Sequence, residues 1–234
     1  MSRTTPRHAL VVRGGWEGHR PVEATELFLP FLRDNGFEVR IESTPKVYAD
    51  TAYMSGVDLV LQCVTMSEIA PEEVAGLRSA IGEGTGFAGW HGGIADSYRN
   101  SSEYLHLVGG QFACHPGKAP GDRCGDGTDY FLPHRIEMTP AAADHPVTAG
   151  IGDFELETEQ YWVLTDSYCD VLATTTLAAR ALDPWGRPVT CPAVWTRAWG
   201  EGRIFVCTPG HSLDVLRDDT VRTLVERGLL WAAR

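Results

Sequence analysis

The chain has 234 residues, 43% hydrophobic and 22% charged, enough for one substantial core and too few for two comfortable domains. Its 20 basic and 31 acidic residues leave a net charge of −11, and no Lys/Arg run interrupts that balance, so nucleic acid and membrane surfaces are excluded as partners. No stretch approaches the roughly 20 apolar residues of a membrane span, and residues 1–7 (MSRTTPR) lack the apolar core of a signal peptide.

Residues 8–13 (HALVVR) form a short apolar run that ends in Gly14-Gly15, as a buried strand should. A helical pattern follows over 22–35 and stops at Asn35-Gly36. Residues 37–43 alternate with a period of two, and 57–64 (VDLVLQCV) are nearly continuously apolar, the pattern of a parallel strand covered on both faces. Pro71 opens a helix over 72–81, and 86–91 (GFAGWH) reads as the next strand, running into a glycine turn. This alternation predicts an α/β fold with a doubly wound, mostly parallel sheet between two helical layers. The second half is less regular. Residues 113–133 read as a long Gly/Pro/Asp-rich loop, and 134–138, 153–162 and 171–176 as strands. A hairpin is expected over 192–199 and 203–208, and an amphipathic helix over 215–233. With no repeat or linker, residues 1–234 are expected to form one domain.

In open α/β sheets ligands sit beyond the carboxyl ends of the strands. His19 follows the first strand, His91 the fourth, and His211 the last, so three histidines are expected in one cleft. His115, opening the long loop, is within reach of the same place. Gly89-x-His91-x-Gly93 has the shape of a nucleophile elbow, a sharp strand-to-turn junction with glycines on both sides. Its centre is histidine rather than Ser or Cys, which argues for a site and against amidotransfer. Asp96 is expected to cap the helix after the elbow, and His8, His106, His134 and His145 to be packing or surface residues. The cysteines at 63, 114, 124, 169, 191 and 207 are scattered without a CxxC pair and read as reduced structural thiols of a cytoplasmic protein.

The ordered segments GFAGWHGG (86–93), Asp96-Ser97-Tyr98, LVGGQF (107–112) and His115-Pro116 resemble the ThuA-like (trehalose-utilisation) family. HPVTAG (145–150), ETEQY (157–161), PAVW (192–195), GRIF (202–205) and Gly210-His211-Ser212 extend the resemblance over nearly the whole chain. It implies a flavodoxin-like, class I glutamine amidotransferase-like three-layer fold without the cysteine nucleophile. It also implies a place in disaccharide catabolism beside a sugar dehydrogenase that makes 3-keto sugars. One departure stands out: Glu157-Thr158-Glu159-Gln160-Tyr161 lies where an Asp-Glu-x-Tyr pattern is expected, so Glu159 is kept and the preceding acid is not.

The leading expectation is therefore an enzyme acting on a keto-sugar derivative. A keto group acidifies the neighbouring C–H bonds, and abstraction of such a proton needs a base, an acid and stabilisation of the developing oxyanion. His91, His211 and Glu159 are the candidates for catalysis. His19, His91 and His211 are equally placed to hold one divalent ion, Zn, Mn or Ni by ligand type. Trp16, Trp90, Tyr161 and His115 are candidates for substrate binding, with Tyr98 and Trp162 as further aromatic neighbours. The alternative is a non-catalytic sugar-binding or regulatory module that kept a pocket and lost its nucleophile. A homodimer is left open as the assembly.

Overall fold

The structure is a computed structural model describing residues 6–234; most of the charged N-terminal segment, residues 1–5, lies outside the described residues. The first half alternates as the hydrophobic pattern predicts: β1 (Arg7–Gly15), α1 (Pro21–Glu26), α2 (Leu29–Asp34), β2 (Phe37–Glu42), α3 (Thr51–Met54), β3 (Leu59–Thr65), α4 (Pro71–Gly82) and β4 (Gly86–Trp90). After the elbow come the short α5 (Gly92–Ala95), α6 (Ser102–Val108) and β5 (Gly110–Cys114). Then follow β6 (Phe131–Met138), β7 (Phe154–Glu159), β8 (Trp162–Thr165), β9 (Asp170–Leu177), β10 (Val189–Trp199) and β11 (Gly202–Cys207). The helices α7 (Leu213–Arg217) and α8 (Asp219–Ala232) close the chain.

Nine strands form one sheet in the order β2-β1-β3-β4-β11-β10-β9-β6-β7. The strands from β2 to β11 run parallel to one another, and beyond β11 each pairing is antiparallel. β5 and β8 form a separate antiparallel pair beside the main sheet. Successive strand side chains point to opposite faces, which divides the core in two. Val11, Leu61, Ala88 and Phe205 meet Leu32, Leu224 and Leu229 of α2 and α8 on one face. Leu10, Val60, Phe87 and Val206 meet Leu77 of α4 and Leu107 of α6 on the other. β3 is buried along its whole length, as its unbroken apolar run requires. The fold is the expected doubly wound α/β sandwich, extended on one side by the antiparallel strands.

Three elements differ from the expectation, each for a local reason. The helix expected over 22–35 is two helices, because Pro30 in the first turn of α2 has no N–H to continue the ladder from α1. The terminal helix breaks at Asp218, whose carboxylate accepts from the Thr220 and Val221 amides and starts α8 afresh. Residues 153–162 are not one strand: Gln160 and Tyr161 separate β7 from β8.

Candidate metal centre

The elbow is built as its glycines demand. His91 adopts φ 49°, ψ −142°, a backbone conformation that side-chain-bearing residues rarely occupy. A Cβ at Gly93 would lie 2.9 Å from Cys63 Cα, and one at Gly92 would lie 2.7 Å from the His19 ring. Only glycine lets α5 press this closely on β3 and on His19. The His91 amide donates to the Cys207 carbonyl at the end of β11, locking the turn to the neighbouring strand. Because the strain resides in φ, His91→Gly is expected to be more stable than His91→Ala by about 1 kcal/mol, the reverse of the usual order. Urea unfolding of the two variants in chelator reads this directly; an alanine variant as stable as the glycine one refutes it.

His91 is buried, and its Nδ1 lies 2.8 Å from the Thr208 carbonyl oxygen. A carbonyl only accepts, so Nδ1 carries the hydrogen and the neutral ring turns a bare lone pair outward at Nε2. That lone pair faces Glu159 Oε2 at 3.1 Å and His211 Nδ1 at 3.3 Å, while His211 Nδ1 lies 3.1 Å from the same carboxylate oxygen. His19 is oriented by Thr65 Oγ1, 2.9 Å from its Nδ1. The ligand atoms of His19, His91, Glu159 and His211 all fall within 4.8 Å of one another. Three electron-pair donors at such distances repel unless a proton or a cation lies among them. A tetrahedral ion with bonds of about 2.0–2.1 Å sets its ligand atoms about 3.3 Å apart, close to what His91, Glu159 and His211 already show. These donors therefore fit a divalent first-row metal, and histidine with carboxylate suits Zn, Mn or Ni.

Electrostatics favour the same state. Burial, with His91 and His211 close by, holds His19 down to a pKa of about 2, and burial also lowers His91. Glu159 is held well below the usual carboxylate range: burial opposes ionisation, but the His211 and His91 rings beside it outweigh that. His19 and His91 are thus held as neutral imidazoles and Glu159 as an ionised carboxylate, the protonation that metal ligation needs.

The cluster opens onto a cavity of about 490 Å³. Trp16, half exposed, forms part of its wall, with Tyr161 and His115. Tyr161 is nearly buried, its ring 4.0 Å from that of His91. His115 Nε2 lies 3.8 Å from Glu159 Oε1, and its buried Nδ1 has no protein partner. The expectation for Trp90 is corrected: only 2% exposed, it packs on Phe28 at 4.9 Å and under Gly210, outside the cavity lining. Tyr98 is likewise buried, and Trp162 packs against Trp185. Asp96 caps nothing at the start of a helix; it ends α5, grips Arg99 through two bonds of 2.6 and 2.7 Å, and both line the cavity. Reasoning from sequence missed Arg99, Phe112 and Tyr130 in this wall. The Asp96/Arg99 spacing just after GWHGG was the available signal.

The six cysteines are free thiols, and burial pushes Cys63 up to about 12 and Cys207 higher still, so neither supplies a ready nucleophile beside the elbow. Fold and site together define a doubly wound α/β protein whose elbow presents a histidine and whose strand ends gather side chains of metal-ligand type. The ThuA family model, described as trehalose utilisation, matches residues 8–232, and the chain belongs to that family. Its structure is similar to that of a ThuA-like protein from Bacteroides uniformis ATCC 8492, with a TM-score of 0.71 at 18% identity over 99% of this chain and 93% of that one. A ThuA-like protein from Parabacteroides merdae ATCC 43184 gives 0.69 at 17% identity, over 97% and 90%. A cytoplasmic protein of Salmonella typhimurium LT2 gives 0.63 at 14%, over 97% and 100%. At such identities the likeness is one of fold. No curated protein matches the chain in sequence. No helix among the described residues is long and apolar enough to cross a membrane.

Proposed function

We propose that the chain is an enzyme of carbohydrate catabolism acting on a 3-keto derivative of a disaccharide. In this reading His91, His211 and Glu159 form the catalytic cluster, with His19 completing a divalent-metal set. The observation that carries the proposal is the convergence of these four side chains, of which His19, Glu159 and His211 line a cavity with aromatic walls and His91 lies buried against them. The family description, trehalose utilisation, supports the substrate class.

A divalent ion held by this set supplies Lewis-acid polarisation of a substrate oxygen. The protein's own groups account for the rest. Glu159 turns Oε2 to His91 and His211 and leaves Oε1 toward His115, so a proton taken from a C–H beside the keto group has a path from Oε1 to His115 Nε2. Trp16 offers an exposed ring to the apolar C–H face of a sugar, and Tyr161 holds the His91 ring in place. The bidentate Asp96–Arg99 pair presents partners for hydroxyls without a free charge. A sugar dehydrogenase is the partner activity that would supply the keto group, and the free thiols suit the cytoplasm.

Proton NMR of 3-ketotrehalose incubated with wild type, His91→Ala and His211→Ala tests the reading. Both variants are expected to lose about a thousandfold in turnover, several kcal/mol of transition-state stabilisation. Unchanged turnover in both sinks it, and binding of unoxidised disaccharide without turnover favours the sugar-binding module instead.

A further inference from the structure

A second cavity, of about 520 Å³, lies behind the wall of the first. The wall is chain that alternates between the two: His115 and Glu159 face the metal centre, while their neighbours Pro116 and Gln160 line the second space. Its apolar surfaces come from Leu132, Pro133, Pro116 and Ala178. Two polar side chains, each more than nine-tenths buried, break that surface: Gln160 is 5% exposed and His134 8%.

Both present an unused acceptor. His134 Nδ1 lies 2.8 Å from the Leu132 carbonyl oxygen and so carries the hydrogen, leaving a bare lone pair at Nε2. Gln160 Nε2 donates to Thr175 Oγ1 at 2.7 Å, leaving Oε1 without a protein partner. Neither free atom is among the fully enclosed, unpartnered polar atoms of the protein, so each reaches open space, and the cavity is the space their residues line. Burial lowers the pKa of His134, which keeps Nε2 an acceptor at neutral pH. What these two atoms can take from the cavity is a hydrogen-bond donor.

The two arginines of the lining are already paired, and its third charged residue, the exposed Glu137, repels anions. Arg180 is bound bidentately to Asp183 and also donates to the Gly117 carbonyl, and Arg135 is paired with Asp153 and Glu155. No guanidinium is left over for a phosphate or carboxylate. We infer that this cavity is a second binding site, separate from the metal centre, for a neutral polyhydroxylated molecule such as a free mono- or disaccharide. Its C–H face would lie on the proline and leucine surface and its hydroxyls would donate to His134 Nε2 and Gln160 Oε1.

The amide signals of the isotope-labelled full chain report the two cavities separately. On titration with trehalose or glucose, the amides of Arg135, Thr176 and Ala178 are expected to shift and saturate. Ala178→Trp, a substitution at an exposed position of the rim, should weaken that response at least about tenfold, while metal content and turnover stay as in wild type. Gln160→Leu, which keeps the shape and removes the acceptor together with the bond to Thr175, should weaken it about tenfold as well. The response of Gly18 and Gly127, in the first cavity, should be unaffected by Ala178→Trp. Glucose 6-phosphate is expected to bind no more tightly than glucose. Static amides around Ala178 with both sugars, or unaltered affinity in both variants, overturns the site; tighter binding of the phosphate overturns the neutral ligand class.

Discussion

Tag-free protein is expected to carry about one equivalent of Zn, Mn or Ni, and to lose it in His91→Ala, His211→Ala and Glu159→Gln. The reason is the geometry of the lone pairs. Thr208 fixes the His91 tautomer so that Nε2 points at a carboxylate oxygen and a second imidazole nitrogen, all within 3.3 Å. Removing one donor opens the set and leaves the others uncompensated. Glu159→Gln keeps the volume and removes only the charge, so it separates ligation from packing. Even neighbours that merely orient a metal ligand change affinity by about 10- to 100-fold, and loss of a ligand itself should exceed that. Binding to the folded state alone also stabilises it, by about 4 kcal/mol when free metal is a thousand times its Kd. For a domain of this size that is a fall of roughly 8–16 °C in melting temperature on chelation. Elemental mass spectrometry and melts with and without chelator measure both effects. A metal-free wild type whose melting ignores chelator would assign His91 and His211 to proton transfer and bring the binding-module reading level with the enzyme.

The parallel half of the fold was legible because its information is local. Apolar runs, a proline at the start of α4 and glycine turns after β1 and β4 mark each element where it stands. The same locality placed His19, His91 and His211 at strand ends. Glu159 was harder. It sits on an edge strand of the antiparallel extension, and only the pairing of β7 with β6 and of β6 with β9 carries it round to the elbow. Long-range pairing leaves little trace in a residue pattern; the family resemblance singled Glu159 out. β5, with its half-exposed residues, is too mixed to announce a strand, and its partner β8 lies some fifty residues later. Trp90 misled for a geometric reason. Adjacent to the key histidine, it still belongs to a strand, and it sends its ring into the helical layer while the turn carries His91 to Glu159 and His211.

Chelated protein is expected to lose stability steeply as pH falls from neutral toward about 5, with His19, His91 and His134 responsible. All three have folded-state pKa values below 6.5, and burial is the largest cause for each. His91, His211 and His115 push His19 further down while Glu159 pulls the other way; for His91, Glu159 opposes burial and His211 reinforces it. Below pH 6.5 the unfolded chain takes up protons at these positions that the folded chain refuses. The unfolded state then binds more protons, so stability rises with pH through this window and falls as acid is added. Each histidine that stays neutral in the folded state contributes up to about 1.4 kcal/mol per pH unit. Glu159 acts in a lower window. Its folded pKa lies below the unfolded value of 4.5, so its stabilisation is complete above 4.5 and is lost only as pH falls past that point. The two contributions therefore separate on the pH axis. Urea unfolding in chelator across this range should show a slope between neutral pH and about 5 that shrinks in His19→Phe and again when His134→Phe is added. Glu159→Gln should leave that upper slope in place and flatten the curve only below it. A wild type whose stability is level from pH 6.5 to 5 would mean that the folded histidines accept protons freely, which the burial of His91 and His134 does not allow.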